Sequence, residues 1–275
     1  MTTGDDEVAV DGPETPAVPT TPHVVALRTV PWPTGQHLWR QVAGEVRWSL
    51  TPPWTWLSGV AANLALSLLW LIWVPLRGAP HRDWAIVVGT YFAIFILADV
   101  TTTNVLGADA VRVRLALLRD VRLRRILLVK NLTLLVVVGM PTLIATAVVT
   151  LTSEADYRLV VTLPGVAFPI LTWLGVGNLV SVALPVAAVP LKERWRRRRQ
   201  VWPTARWLLH LGLPYALLLA VGPVSRLPTL LARGLHLPRS DSIHGATVLI
   251  TGLALWGVGT AAALMVARSR GVPLR

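Results

Sequence analysis

Residues 104–131 read NVLGADAVRVRLALLRDVRLRRILLVKN and lie between two long apolar stretches of the chain. From Arg112 to Lys130 this segment holds seven basic side chains and one acid, with Leu and Val interleaved at roughly helical spacing. A basic amphipathic helix of this kind lies on an anionic membrane surface or presents a face to a partner. The alternative is a loop that only sets membrane orientation. We interpret the segment as the cytoplasmic elbow of a membrane protein with several spans.

The composition of the whole chain is that of a membrane protein. Of the 275 residues, 53% are hydrophobic and 15% are charged, and the mean hydropathy is +0.58. The net charge of +12 could suit a nucleic acid. The basic residues lie between apolar runs, however, so anionic lipid head groups explain them better, and we predict no nucleic-acid partner. The absence of cysteine excludes disulfides and thiolate chemistry.

The amino-terminal part of the chain divides into two predicted pieces. Residues 1–35 are acidic at first and then rich in Pro and Thr, which predicts a disordered cytoplasmic tail. Residues 36–53 predict an interfacial amphipathic helix, because apolar side chains recur every four residues before Pro52 and Pro53 end the pattern. The predicted apolar stripe of this helix consists of Leu38, Val42, Val46 and Leu50.

The remainder predicts an all-α integral membrane protein with six transmembrane helices. A helix rises about 1.5 Å per residue, so roughly 20 apolar residues cross about 30 Å of hydrocarbon. The transmembrane domain is expected over residues 54–267, followed by a cytoplasmic tail at 268–275. With both termini cytoplasmic, 20 of the 26 Lys and Arg residues face the cytoplasm, which supports this orientation. The predicted spans are approximately residues 54–76, 84–106, 126–151, 159–191, 207–224 and 246–267.

The sequence lacks the motifs of the common enzyme classes. It contains no P-loop, no H-E-x-x-H and no G-x-S-x-G, so we predict no catalytic, cofactor-binding or metal site in this chain. Polar residues in the spans are the remaining candidates, because each is costly in lipid and usually faces the protein interior. Asp99 is expected to be paired or hydrated, with Lys130 and Asn131 as candidate partners, and a structural ion pair is favoured over a proton relay. The predicted pathway or interhelical polar residues are Asn63, Ser67, Asp99, Asn104, Lys130, Asn178 and Ser181.

Two stretches carry a resemblance to a known family. Asn104-x-x-Gly107-x-Asp109, the basic helix after it and Arg125-Ile126-Leu127-x-x-Lys130-Asn131 resemble the connection between the second and third spans of type-2 ABC exporter permeases. Gly175-x-Gly177-Asn178-x-x-Ser181-x-x-x-Pro185 resembles the end of the fourth span in that family, especially in its actinobacterial members. The likeness covers about residues 36–267. One departure is the run from Arg119 to Arg122, where these permeases often carry a proline.

The resemblance implies a function and a set of partners. It implies the permease subunit of an ATP-driven exporter in the bacterial plasma membrane, with a second permease chain as homodimer or heterodimer. ATP would be hydrolysed by a separate ATP-binding cassette subunit, and anionic lipids would surround the basic face. The elbow would then be the coupling helix that docks on the ATPase. The residues expected to dock are Asp109, Arg112, Arg114, Arg119, Asp120 and Arg122.

Two other classes of membrane protein stay open at this point. An ion-coupled secondary transporter usually places several carboxylates near the bilayer midplane, and this chain offers Asp99 alone. A non-transporting accessory or scaffold protein needs only the spans and a basic cytoplasmic face. Neither alternative requires an ATPase, so the presence or absence of an ATPase partner distinguishes them from the exporter.

Overall fold

The structure is a computed structural model, and every segment with regular structure in its described part is helical. It describes residues 32, 37–51, 103–107, 109–153, 159–186, 199, 201–221, 226–236, 238 and 240–271. The predicted spans at 54–76 and most of 84–106 lie outside these residues, as do Asn63, Ser67 and Asp99. The helices, in chain order, are α1 Leu38–Ser49, α2 Ala110–Leu118, α3 Leu123–Leu134, α4 Met140–Ser153, α5 Leu159–Ala183, α6 Val201–Val221, α7 Leu227–Gly234 and α8 Asp241–Ser269.

Three stretches of helix are long and apolar enough to cross a membrane. They are Leu123–Val148, Leu159–Ala183 and Asp241–Ser269. They coincide with the third, fourth and sixth predicted spans, so the membrane class of the chain is supported. The fifth predicted span overlaps α6, which begins six residues earlier than expected.

A π-helical turn, Leu135–Gly139, joins α3 to α4 without a break in the helix. Pro141 follows directly and has no N–H to donate to the carbonyl of Val137. Its ring would also collide with that carbonyl in a regular α-helix. Widening the turn before the proline relieves this conflict, so the third predicted span forms one continuous, bulged helix.

α5 ends eight residues before the predicted limit at residue 191. Its last helical residue is Ala183, and Leu184 precedes Pro185. A proline disfavours the helical conformation in the residue before it, which explains the early end. Two arginines cover the exposed carbonyls at this point. Arg270 Nη1 donates to the Val182 carbonyl at 3.0 Å, and Arg206 Nη2 donates to the Pro185 carbonyl at 2.9 Å.

α5 and α8 pack closely along a row of glycines. Gly245, Gly252 and Gly259 recur every seven residues on α8, which keeps them on the side that faces α5. A methyl group added to Gly259 would lie 2.6 Å from the carbonyl carbon of Gly175. Next to this contact, Asn178 Nδ2 donates to Thr260 Oγ1 at 2.8 Å. The two backbones therefore touch directly, as small residues allow between membrane helices.

We predict opposite effects of two alanine substitutions on α8. Gly259→Ala should lower stability by about 1–3 kcal/mol, since the new methyl group meets the Gly175 backbone. Gly257→Ala should instead raise stability by roughly 0.5–1 kcal/mol, since no atom lies within 4 Å of the new methyl group. Thermal unfolding of both variants in the same detergent measures the difference. Equal effects would contradict the close helix contact.

Candidate functional site

α1 packs on α3 through its polar face. The buried residues of α1 are Gln41, Val42, Glu45 and Ser49, whereas Leu50 of the predicted apolar stripe is 50% exposed. A helix is observed where one was predicted, and most of the predicted apolar stripe packs inward: Val42 is buried, and Leu38 and Val46 are partly buried against the same core. The polar side of α1 is buried as well, because α3 presents cations to it. Arg125 Nε donates to Gln41 Oε1 at 2.8 Å.

Four charged side chains meet where α1, α2 and α3 converge. Arg112 Nη1 lies 2.6 Å from Glu45 Oε2 and 3.3 Å from Asp109 Oδ2. Lys130 Nζ donates to Glu45 Oε1 and, at 2.9 Å, to Asp109 Oδ2. All four side chains are at most 8% exposed. We call Glu45, Asp109, Arg112 and Lys130 the ion cluster.

Two tryptophans enclose the cations of the ion cluster. The guanidinium carbon of Arg112 lies 5.1 Å from the ring centroid of Trp32 and 4.8 Å from that of Trp48. Lys130 Nζ lies 5.8 Å and 5.0 Å from the same two rings. Such cation–π contacts strengthen when water is excluded. Trp32 is 2% exposed, so it belongs to the packed interior, although residues 1–35 were predicted to be a disordered tail.

The electrostatics of the ion cluster favour the ionised form of Glu45. Burial alone would raise the pKa of the Glu45 carboxyl, but the charges of Lys130 and Arg112 outweigh this effect and lower that pKa below its ordinary value of 4.5. Two acids and two cations give a formally neutral group. A cavity of about 20 Å³, lined partly by Ser49 and Thr133, adjoins it and is large enough for one water molecule.

The residues expected to dock on an ATPase divide into two groups. Asp109 and Arg112 are internal members of the ion cluster rather than part of the outer surface. The other four are exposed on α2 or on the turn that follows it. They are Arg114, Arg119, Asp120 and Arg122.

The turn between α2 and α3 has a defined geometry. Asp120 adopts the left-handed conformation, with φ at 59°. The Val121 N–H donates to the Ala116 carbonyl and the Asp120 N–H to the Leu117 carbonyl, each at 3.1 Å. This pair of bonds is the Schellman motif, which ends a helix and reverses the chain. The type-2 ABC exporter permeases that the sequence resembles often have a proline at this position instead.

The predicted polar residues that the structure describes bond to distant segments of the chain. Asn104 Nδ2 donates to the Val186 carbonyl at 2.5 Å, and Asn104 Oδ1 accepts from the Val186 N–H at 3.1 Å. Ser181 Oγ donates to the Thr103 carbonyl and accepts from the Val105 N–H at 3.1 Å. Of these contacts, the bond from Asn178 of α5 to Thr260 of α8 joins two helices. Lys130 pairs with Glu45 and Asp109, which were not its expected partners.

Sequence reasoning missed Glu45, Trp32 and Trp48. A usable signal was present, because Glu45 is the sole acid between Glu14 and Asp83 and lies on a face of α1 with Gln41 and Ser49. A polar face that is free of lysine and contains one acid suits an internal cationic partner. In the parts of the chain that the structure describes, no group of three His, Asp or Glu side chains could hold a metal ion.

We predict that loss of one charge from the ion cluster destabilises the protein more than loss of a balanced pair. Glu45→Gln leaves two buried cations with one acid and should cost on the order of 3–5 kcal/mol. The double variant Glu45→Gln/Lys130→Met restores neutrality and should recover much of that loss. Thermal unfolding in detergent tests both. Additive losses in the double variant would show that the charges act independently.

We also predict a loss of stability in acid that depends on Glu45. Because its pKa is lower in the folded protein, Glu45 contributes stability fully above about pH 4.5, and this contribution falls as the pH drops through the folded-state pKa. The melting temperature of the natural protein should therefore decline below about pH 4.5 more steeply than that of Glu45→Gln. Parallel curves would contradict an ionised Glu45.

No protein-family model, no curated protein and no solved structure matches this chain.

Proposed function

We propose that this chain is the membrane-spanning permease subunit of an ATP-driven exporter in a bacterial plasma membrane. It would form part of the translocation pathway and couple to a separate ATPase subunit through the elbow. ATP would act through that subunit, and a second permease chain would complete the pathway. The chain itself would carry out no catalysis.

One observation carries the proposal: the outer face of the elbow is basic and exposed, and its inner face is held by buried ion pairs. Outward, Arg114, Arg119, Arg122 and Arg124 are exposed around the turn at Asp120. Inward, Arg112 joins Glu45, Asp109 and Lys130. A plain orientation loop needs the outer charges alone. A helix that receives force from a partner also needs the inner attachment.

The ion cluster attaches the elbow to the helices that form the candidate spans. α3 begins one residue after Arg122 and continues through the π turn as the span Leu123–Val148. Leu123 and Leu127 of α3 pack with Val182 of α5 and Ala263 of α8. A displacement of the elbow would therefore reach all three candidate spans through packed side chains, as coupling requires.

Two other functions make different predictions about a partner. An accessory or scaffold protein would use the same basic face without an ATPase. A secondary transporter would work without one as well and would need further ionisable groups near the midplane. The recovery of an ATP-hydrolysing subunit therefore separates the exporter from both.

We predict that an ATPase subunit co-purifies with the tagged chain from its native membranes in mild detergent. The variant Arg114→Glu/Arg119→Glu/Arg122→Glu should lose most of that subunit, because three reversed charges oppose an acidic docking surface. These three side chains are exposed, so the fold should tolerate the change. Arg112→Glu is unsuitable, since it would disrupt the ion cluster. Mass spectrometry and ATP hydrolysis of the eluate give the two measurements.

The matched control is Arg226→Glu/Arg233→Glu, which reverses two exposed arginines beside or within α7. It should retain the ATPase. A partner that stays bound to the elbow variant would contradict docking at the elbow. Absence of any ATPase, under conditions that keep a known exporter complex intact, would contradict the exporter function.

A further inference from the structure

α1 buries polar side chains and leaves part of its apolar surface exposed. Gln41, Glu45 and Ser49 are buried against α3, whereas Trp39 and Leu50 are 67% and 50% exposed. Exposed apolar surface is unfavourable in water, and its free energy falls when it moves into an apolar environment. Trp39 and Leu50 are therefore suited to an apolar environment, whereas the exposed Arg40 and Arg47 of the same helix are suited to a polar or charged one.

An apolar groove of about 620 Å³ runs along that outer face. Its lining is almost entirely carbon, and Arg47 is its one charged member. Val136 closes the groove from the π turn of the span Leu123–Val148. The groove thus opens beside a candidate membrane span, where acyl chains would be the surrounding medium. The apolar lining consists of Trp39, Val42, Ala43, Val46, Leu50 and Val136.

The exposed charge beside the groove is positive. Arg40 and Arg47 lie seven residues apart on α1, and both are exposed. Glu45, the only acid of this helix, is buried in the ion cluster. An exposed guanidinium can bind a phosphate through two parallel hydrogen bonds. Both the charge and the apolar lining match the chemistry of a negatively charged phospholipid.

We propose that this groove binds an anionic glycerophospholipid of the inner leaflet, with an acyl chain along Val46, Leu50 and Val136 and the phosphate paired with Arg47. The bound lipid covers the outer face of α1 while the ion cluster holds its inner face. The site does not depend on an ATPase partner, so its test is separate from that of the exporter function.

The test uses the full chain in nanodiscs of equimolar phosphatidylglycerol and phosphatidylcholine. A photoreactive benzophenone amino acid at Leu50 reports the groove. The same amino acid at Leu253, a 45% exposed residue of α8, reports the bulk lipid. Mass spectrometry of the cross-linked lipids gives the ratio of the two head groups at each position. We expect this ratio at Leu50 to exceed that at Leu253 by about five-fold, the effect of one arginine near the surface.

Two variants separate the phosphate contact from the acyl contact. Arg47→Gln should reduce the ratio at Leu50 to the value at Leu253, whereas Arg233→Gln on α7 should leave it unchanged. Ala43→Trp should fill the groove and lower the total lipid yield at Leu50. Equal ratios at Leu50 and Leu253, a ratio insensitive to Arg47→Gln, or no lipid cross-linked at Leu50 would each overturn the proposal.

Discussion

The buried pairing of Glu45 and Asp109 with Arg112 and Lys130 constrains the described part of the molecule more than any other contact. Each of these charges is expensive to remove from water, and the pairing offsets that cost only while all four are present. The four residues belong to α1, to α3, and to α2 with the turn before it. These elements therefore cannot separate without exposing or isolating a charge.

The ion cluster also determines the direction of α1. Gln41 meets Arg125, and four residues later Glu45 meets Lys130, so α1 and α3 run in the same direction at this contact. The polar side of α1 is used in this way together with Val42, which packs in the same core, while Trp39 and Leu50 stay exposed. An amphipathic helix usually buries its apolar side, and the cations of α3 explain why the polar side of α1 is buried as well. In our proposal, lipid covers the apolar side chains that remain exposed.

The sequence predicted elements that depend on local properties and failed where distant residues meet. Length and hydropathy located the helices at 126–151, 159–191 and 246–267, because crossing hydrocarbon sets both quantities. The partnership of Glu45 with Lys130 could not be deduced, since 85 residues separate them. Asp109 and Arg112 were assigned to an outer surface because a basic loop is exposed by default. The early end of α5 could have been predicted from Pro185, because a proline disfavours the helical conformation of the residue before it.

The arginines of this chain have two roles, in membrane orientation and in internal bonds, and a count of charges does not distinguish them. Counting Lys and Arg gives membrane orientation because basic residues are retained on the cytoplasmic side. Yet Arg112 and Arg125 bond internally, and Arg206 and Arg270 cover the carbonyls that α5 leaves open after Val182. The exposed arginines of the elbow, around Asp120, make no comparable structural contribution. Their concentration on one turn is the feature on which the proposed docking of a partner depends.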